Sequence, residues 1–195
     1  MEKYLFRFSR LFLIASIILL IQGCAAVVAG GATSAVAVAY DPRTTGTIVE
    51  DQAIELKAAT AFLDDPAINE SSHINVTSYN LVVLVTGETP TSDIKQRVVQ
   101  IVRDIPKVNH VYDELTIAAP SSLVSRSSDS LITSKVKTRL LTTENFDGTK
   151  VKVVTENGIV YLMGILNHEE ADTATHVTRQ VGGVQKVVKL FQYRE

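Results

Sequence analysis

Apolar residues along this chain recur in one order, twice. The first run of the pattern spans 51–117 and the second 129–191. Each run begins with helical spacing. Ile54, Ala58, Ala61 and Phe62 fall on one face in the first, and Ile132, Val136, Arg139 and Leu140 in the second. Ser128, Asp129 or Ser130 is placed to cap the second of these helices. An alternating strand comes next, carried by Ile74 and Val76 in one copy and by Val151 and Val153 in the other. Tight turns follow at Ser78-Tyr79-Asn80 and Glu156-Asn157-Gly158. Asn-Gly between alternating apolar residues is a hairpin signal, because both residues tolerate positive φ. The returning strands, 81–85 and 159–163, are expected to end at Gly87 and Gly164.

A second helix is predicted over 91–104 and again over 168–181. Its inward positions are Ile94, Val98 and Ile101 in the first copy and Ala171, Ala174 and Val177 in the second. A last strand closes each unit, over 107–111 and 183–187. The order helix, strand, strand, helix, strand defines an α+β fold in two tandem αββαβ units. In each, two helices cover one face of a three-stranded mixed sheet. Units this small are marginal alone, so packing of the two copies on each other is expected. A Ser-rich run near Ala119-Pro120 reads as the boundary. The expected divisions are 1–23, 24–46, 47–119, a linker over 120–128, and 129–195.

The start of the chain has a different pattern. Lys3, Arg7 and Arg10 precede an apolar run over 11–21, which ends at Ile21-Gln22-Gly23-Cys24. The run is too short to span a bilayer, which takes about 20 apolar residues. Charged region, apolar region and small residue in that order describe a secretory leader. Cys24 is the chain's single cysteine, so no disulfide competes for its thiol. Its setting matches the bacterial lipobox, in which the thiol is acylated and becomes the new N-terminus. Residues 1–23 are then a removed signal peptide and 24–46 a lipidated tether. Ala25, rather than Asp, after the cysteine favours the outer membrane. The expected cofactor set is empty apart from the covalent acyl lipid on Cys24.

Charge separates the copies. Residues 47–119 hold 5 basic and 11 acidic side chains, and 120–195 hold 10 basic and 8 acidic. The first half is thus acidic and the second mildly basic, too mildly to imply nucleic acid. With 46% hydrophobic and 21% charged residues, the chain has the composition of a folded protein.

The repeated unit resembles the BON domain, whose signature is a hairpin with glycines near its turn and end, then a helix, then an apolar strand around Gly-Val. The second copy carries it best, in Asn157-Gly158-Ile159-Val160-Tyr161-Leu162-Met163-Gly164 and Gly183-Val184. In the first, Asn80 stands at the hairpin glycine and Lys107-Val108 replaces Gly-Val. Gly87, Gly158, Gly164 and Gly183 are the expected structural glycines. Leader, tether, Asp41-Pro42-Arg43-Thr44 and two copies follow the order of dual-BON lipoproteins. The resemblance implies an outer-membrane protein facing the periplasm, with a role in envelope integrity. It also implies binding of anionic phospholipid through the second copy.

The residues offer a surface for that binding on the first helix of the second copy. Ile132, Val136 and Leu140 form its core stripe. Leu131, Lys135, Thr138 and Leu141 are left off the core, beside Lys137 and Arg139. An exposed leucine can enter the lipid interface while nearby cations meet phosphates. The family position aligned with Leu131 is aromatic, and a leucine there forgoes the interfacial preference of a ring. The acidic first copy is the face expected to take envelope or outer-membrane assembly proteins as partners, if the chain is an adaptor. A purely structural lipoprotein is the other reading.

No enzyme is expected. His168-Glu169-Glu170 lacks a second histidine at i+4, where Asp172 stands, so it is no zinc-protease motif. The serines between Ser121 and Ser134 come without a nucleophile elbow.

Overall fold

Thr44 opens the first helix by accepting a hydrogen bond from the Thr47 amide at 3.1 Å. The helix it caps, α1, runs Thr45–Leu63. The computed structural model describes residues 41–194. The leader, Cys24 and the tether to Tyr40 lie outside the described residues. After α1 come a one-turn helix α2 (Pro66–Asn69), strands β1 (His73–Tyr79) and β2 (Val82–Thr89), helix α3 (Ser92–Arg103) and strand β3 (His110–Ile117). The second copy repeats this with α4 (Leu123–Leu141), β4 (Val151–Glu156), β5 (Ile159–Leu166), α5 (His168–Arg179) and β6 (Lys186–Tyr193). In both sheets the hairpin is antiparallel and the strand after the second helix returns parallel to the middle one. The expected mixed three-stranded sheet, covered by two helices, is present twice.

Each copy has its own core between helices and sheet. Ile54, Ala58 and Phe62 of α1 and Val98 and Val102 of α3 close on Val83 and Val85 of β2. Ile132, Val136 and Leu140 of α4 and Ala171 and Ala174 of α5 close on Val160 and Leu162 of β5. The other faces of the sheets meet each other. Tyr79 and Leu84 pack with Tyr161, Met163 and Leu190 in a third cluster. The result has four layers, helices–sheet–sheet–helices, so α1 and α4 lie in opposite outer layers. Burial of both sheet faces explains why β2 and β5 read as nearly continuous apolar runs.

Polar groups also cross between the copies. Asn75 donates to Glu156 at 2.9 Å, Asn157 donates to Glu88 at 2.7 Å and Asn80 donates to Gln192 at 2.7 Å. Burial raises the Glu156 carboxyl above its ordinary range. The Asn75 hydrogen bond works against that, and the Glu88 charge adds to it.

The structure corrects several sequence expectations. Residues 123–128, expected in the linker, are the first turns of α4, which Ser122 caps. Ser127, Ser130 and Ser134 are held in the helix by donating to the carbonyl four residues back. Neither Ser128, Asp129 nor Ser130 is the helix cap. Arg139 is exposed, not on the apolar face, and Ala61 is only half-buried. In α3, Val99 and Val102 are buried where Ile94 and Ile101 are half-buried. The last strands begin at His110 and Lys186, later than expected. The tether's end is ordered too: Arg43 is held by Asp41 and by Asp51 and lies over the Tyr79 ring, 4.1 Å from its centroid.

Gly87 and Gly164 lie inside β2 and β5, not at their ends. A Cβ at Gly164 would come within 2.8 Å of the Lys150 carbonyl, and one at Gly87 would collide with that of His73. Both glycines therefore let the neighbouring strand approach closely. The hairpin correspondence also shifts by one. Asn80 and Asn157 are equivalent, with φ of 51° and 50°, and it is Leu81, at φ 65°, that stands where the second copy has Gly158.

Candidate phospholipid-binding helix

The two hairpins are fastened to the first helix of their copy by a buried aspartate. Asp129 accepts from the Asn157 and Gly158 amides at 2.9 and 2.8 Å. Asp51 accepts from the Asn80 and Leu81 amides at 2.7 and 2.8 Å and from the Ser78 hydroxyl at 2.7 Å. Turn amides with positive φ have no ladder partner, and the carboxylate supplies one. These aspartates fix the rotation of α1 and α4 on their sheets, and hence which residues point outward. Sequence reading had Asp129 only as a helix-cap candidate. Its recurrence 78 positions after Asp51, each about 29 residues before a turn, was the available signal.

With Asp129, Ile132, Val136 and Leu140 turned inward, the outward face of α4 is defined. Leu131, Lys135 and Thr138 lie along its middle, all exposed. Lys137 and Leu141 flank them on one side and Arg139 on the other. The Thr138 hydroxyl donates to the Ser134 carbonyl at 2.9 Å, so it presents only its lone pairs outward. The structure thus gathers all six predicted residues on the solvent side of one helix, although Lys137 and Arg139 diverge. It adds two that sequence reading had placed in the linker, Leu123 and Val124. Val124 stands seven residues before Leu131, on the same line. Leu123, Val124, Leu131 and Leu141 are between 57% and 80% exposed. Among the described residues, Lys135, Lys137 and Arg139 form no salt bridge, whereas Lys150 and Lys152 each engage a carboxylate. The α4 face therefore combines aliphatic side chains with unneutralised cations.

A polar groove lies elsewhere, between the copies. It holds about 460 Å³ and is lined by His73, Asn75, Arg126, Thr133, Thr155 and Glu156. Its walls are polar and mixed in charge. Among the described residues, no cluster of three or more His, Cys, Asp or Glu could hold a metal ion. No described helix is long and apolar enough to cross a membrane.

Two αββαβ units stacked sheet to sheet define a tandem-domain α+β protein. The BON domain matches residues 50–119 and 128–195, and the chain belongs to that family. It is similar to the outer membrane lipoprotein DolP of Haemophilus influenzae, 39% identical over 89% of this chain and 90% of that protein. It is 37% identical to the 21 kDa hemolysin of Actinobacillus pleuropneumoniae, over 78% of this chain and 79% of the relative. Similarity to osmotically-inducible protein Y of Escherichia coli is 28%, over 73% and 72%. This is a dual-BON, DolP-like protein and an outer-membrane lipoprotein, as the resemblance implied. None of these relatives bears an enzyme's name.

Proposed function

We infer that the chain is anchored by acyl groups on Cys24 and binds anionic phospholipid of the outer membrane through the outward face of α4, and so supports the integrity of the envelope. The observation that carries this is the coincidence, on the solvent side of one helix, of exposed Leu123, Val124, Leu131 and Leu141 with three cations that form no salt bridge among the described residues. Each cation near an anionic surface contributes about 1 kcal/mol. Each leucine that enters the interface adds part of the 1.5–3 kcal/mol of full burial, roughly. These sums describe weak, reversible binding. The anchor makes weak binding sufficient by holding α4 at high effective concentration beside lipid.

The test is flotation of the folded body, residues 41–195, with vesicles that contain or lack phosphatidylglycerol, at low and high salt. The body begins at Asp41 because Asp41 and Arg43 pack on α1 and Tyr79. Salt-sensitive binding to anionic vesicles alone is expected. The triple variant Leu131→Glu, Lys137→Glu, Arg139→Glu should lose it. Undiminished flotation of that variant would sink the assignment to α4. Absence of flotation by the parent body would leave the acyl chains as the only membrane contact and favour the adaptor reading.

A further inference from the structure

The outward face of α1 also carries exposed aliphatic side chains, in a different setting. Val49, Leu56 and Leu63 are between 58% and 68% exposed. Their spacing is i, i+7, i+14, which drifts only about 20° per step on a helix. They therefore form a nearly straight row, about 21 Å long at 1.5 Å per residue. Between them the outward positions are small or neutral: Gln52, Ala59 and Thr60.

Most charges beside this row are paired or buried. Glu50 pairs with Lys107, Glu55 pairs with Lys152, and Asp51 is buried under Arg43. Lys57 and Asp64, the cap just past Leu63, are exposed and form no salt bridge among the described residues. The net acidity of the first copy is thus weak on this face. One cation offset by one acid is also a poor match for an anionic membrane. Because α1 and α4 occupy opposite outer layers, α1 points away from any lipid that α4 meets.

We propose that the Val49–Leu56–Leu63 row is a self-pairing surface at which a second copy of this chain docks antiparallel through its own α1. The row is symmetric about Leu56, as a two-fold interface requires. A two-fold axis at Leu56 stacks Leu56 on its mate and sets Val49 against Leu63 of the other copy. Ala59 and Thr60 let the two helices approach closely. A neutral, aliphatic row is complementary to itself, whereas a charged row would not be. Three aliphatic side chains cover less than the ~800 Å² per partner of a stable interface. Pairing is therefore weak in free solution and is driven by confinement of anchored chains to one membrane surface.

The test uses the full chain in isolated membranes, with single cysteines introduced on α1 and mild thiol oxidation. The parent chain, whose thiol is Cys24, gives the background. Leu56→Cys should yield a product of twice the monomer mass, lost on reduction. Lys57→Cys, about 100° round the helix, should stay at background. Val49→Cys and Leu63→Cys should each cross-link weakly alone, because like positions sit about 21 Å apart in the antiparallel pair. Co-produced in one membrane, they should cross-link to each other. Monomeric Leu56→Cys under oxidation would overturn the proposal. So would a Leu56→Cys product of any other mass, which would give the row to a different protein, or equal dimer yields from Val49→Cys and Leu63→Cys alone. The thermal midpoint of each variant checks folding. The α4 triple variant should leave the Leu56→Cys product unchanged, which separates this proposal from lipid binding.

Discussion

The first helices of the two copies are alike inside and unlike outside. Asp51, Ile54, Ala58 and Phe62 of α1 match Asp129, Ile132, Val136 and Leu140 of α4 in burial and spacing. Outside, α1 presents a straight neutral row and α4 a broader aliphatic patch among free cations. The inner positions answer to one constraint, the shared sheet and hairpin. The outer positions are free of it, and the two copies have diverged there. A duplicated domain can thus keep one fold and carry two surfaces on opposite sides.

The shared inner aspartate gives the largest expected effect. Asp129→Ala leaves two buried amides without a partner, at about 1–3 kcal/mol each. Asp51→Ala strands two amides, the Ser78 hydroxyl and Arg43, and should cost more. Urea midpoints of the folded body should rank parent, Asp129→Ala, Asp51→Ala. Equal losses would show that neither the Ser78 hydroxyl nor Arg43 adds to the first copy through Asp51.

Next in size is the contrast between the outer faces. Reversing Lys137 and Arg139 and removing Leu131 should weaken anionic-vesicle binding by about 3 kcal/mol, more than 100-fold. The counterpart change on α1, Lys57→Glu, should leave vesicle binding within about twofold. If both changes weakened binding alike, the division of labour between the helices would fail.

The seam between the copies responds to pH. Ionised Glu156 is disfavoured by burial and by Glu88, so its folded pKa lies above its unfolded one. Stability should therefore rise as pH falls from neutral through that raised value towards the glutamate range of about 4.3. Glu156→Gln keeps acceptors for Asn75 and Thr86 without the charge. It should be more stable than the parent at neutral pH and should flatten this pH dependence. Thermal midpoints across the range decide it, and an unchanged slope would refute the assignment to Glu156.

The smallest effect tests where the first copy departs from the glycine pattern. Lys107 holds φ of 72° where the second copy has Gly183 at 102°. Lys107→Gly relieves about 1 kcal/mol of left-handed strain, offset by the flexibility of glycine when unfolded and by loss of the Glu50 pair. A net gain below about 1 kcal/mol is expected by calorimetry. A clear loss would show that the Glu50 pair outweighs the strain.

The helix cores were legible because α1 and α4 repeat one apolar spacing, and the outward residues of α4 followed by subtraction. Leu123 and Val124 were missed because a serine-rich stretch reads as a loop. In α4 those hydroxyls bond back to helix carbonyls, which composition does not reveal. The late start of β3 and β6 was missed for another reason. Val108 and Val184 are half-buried on the cores, so they mimic strand alternation while still in the turn.

By itself the sequence determined the duplication, the αββαβ order and the inward stripes, because periodicity and local motifs are properties of neighbours along the chain. Only the tertiary structure decided that the sheets stack through Tyr79, Leu84, Tyr161, Met163 and Leu190. Alternation marks that a strand has two faces without saying what covers the second. That stacking sends α1 and α4 to opposite outer layers. The two buried aspartates, acting through hairpins nearly thirty residues away, set which aliphatic side chains reach the surface.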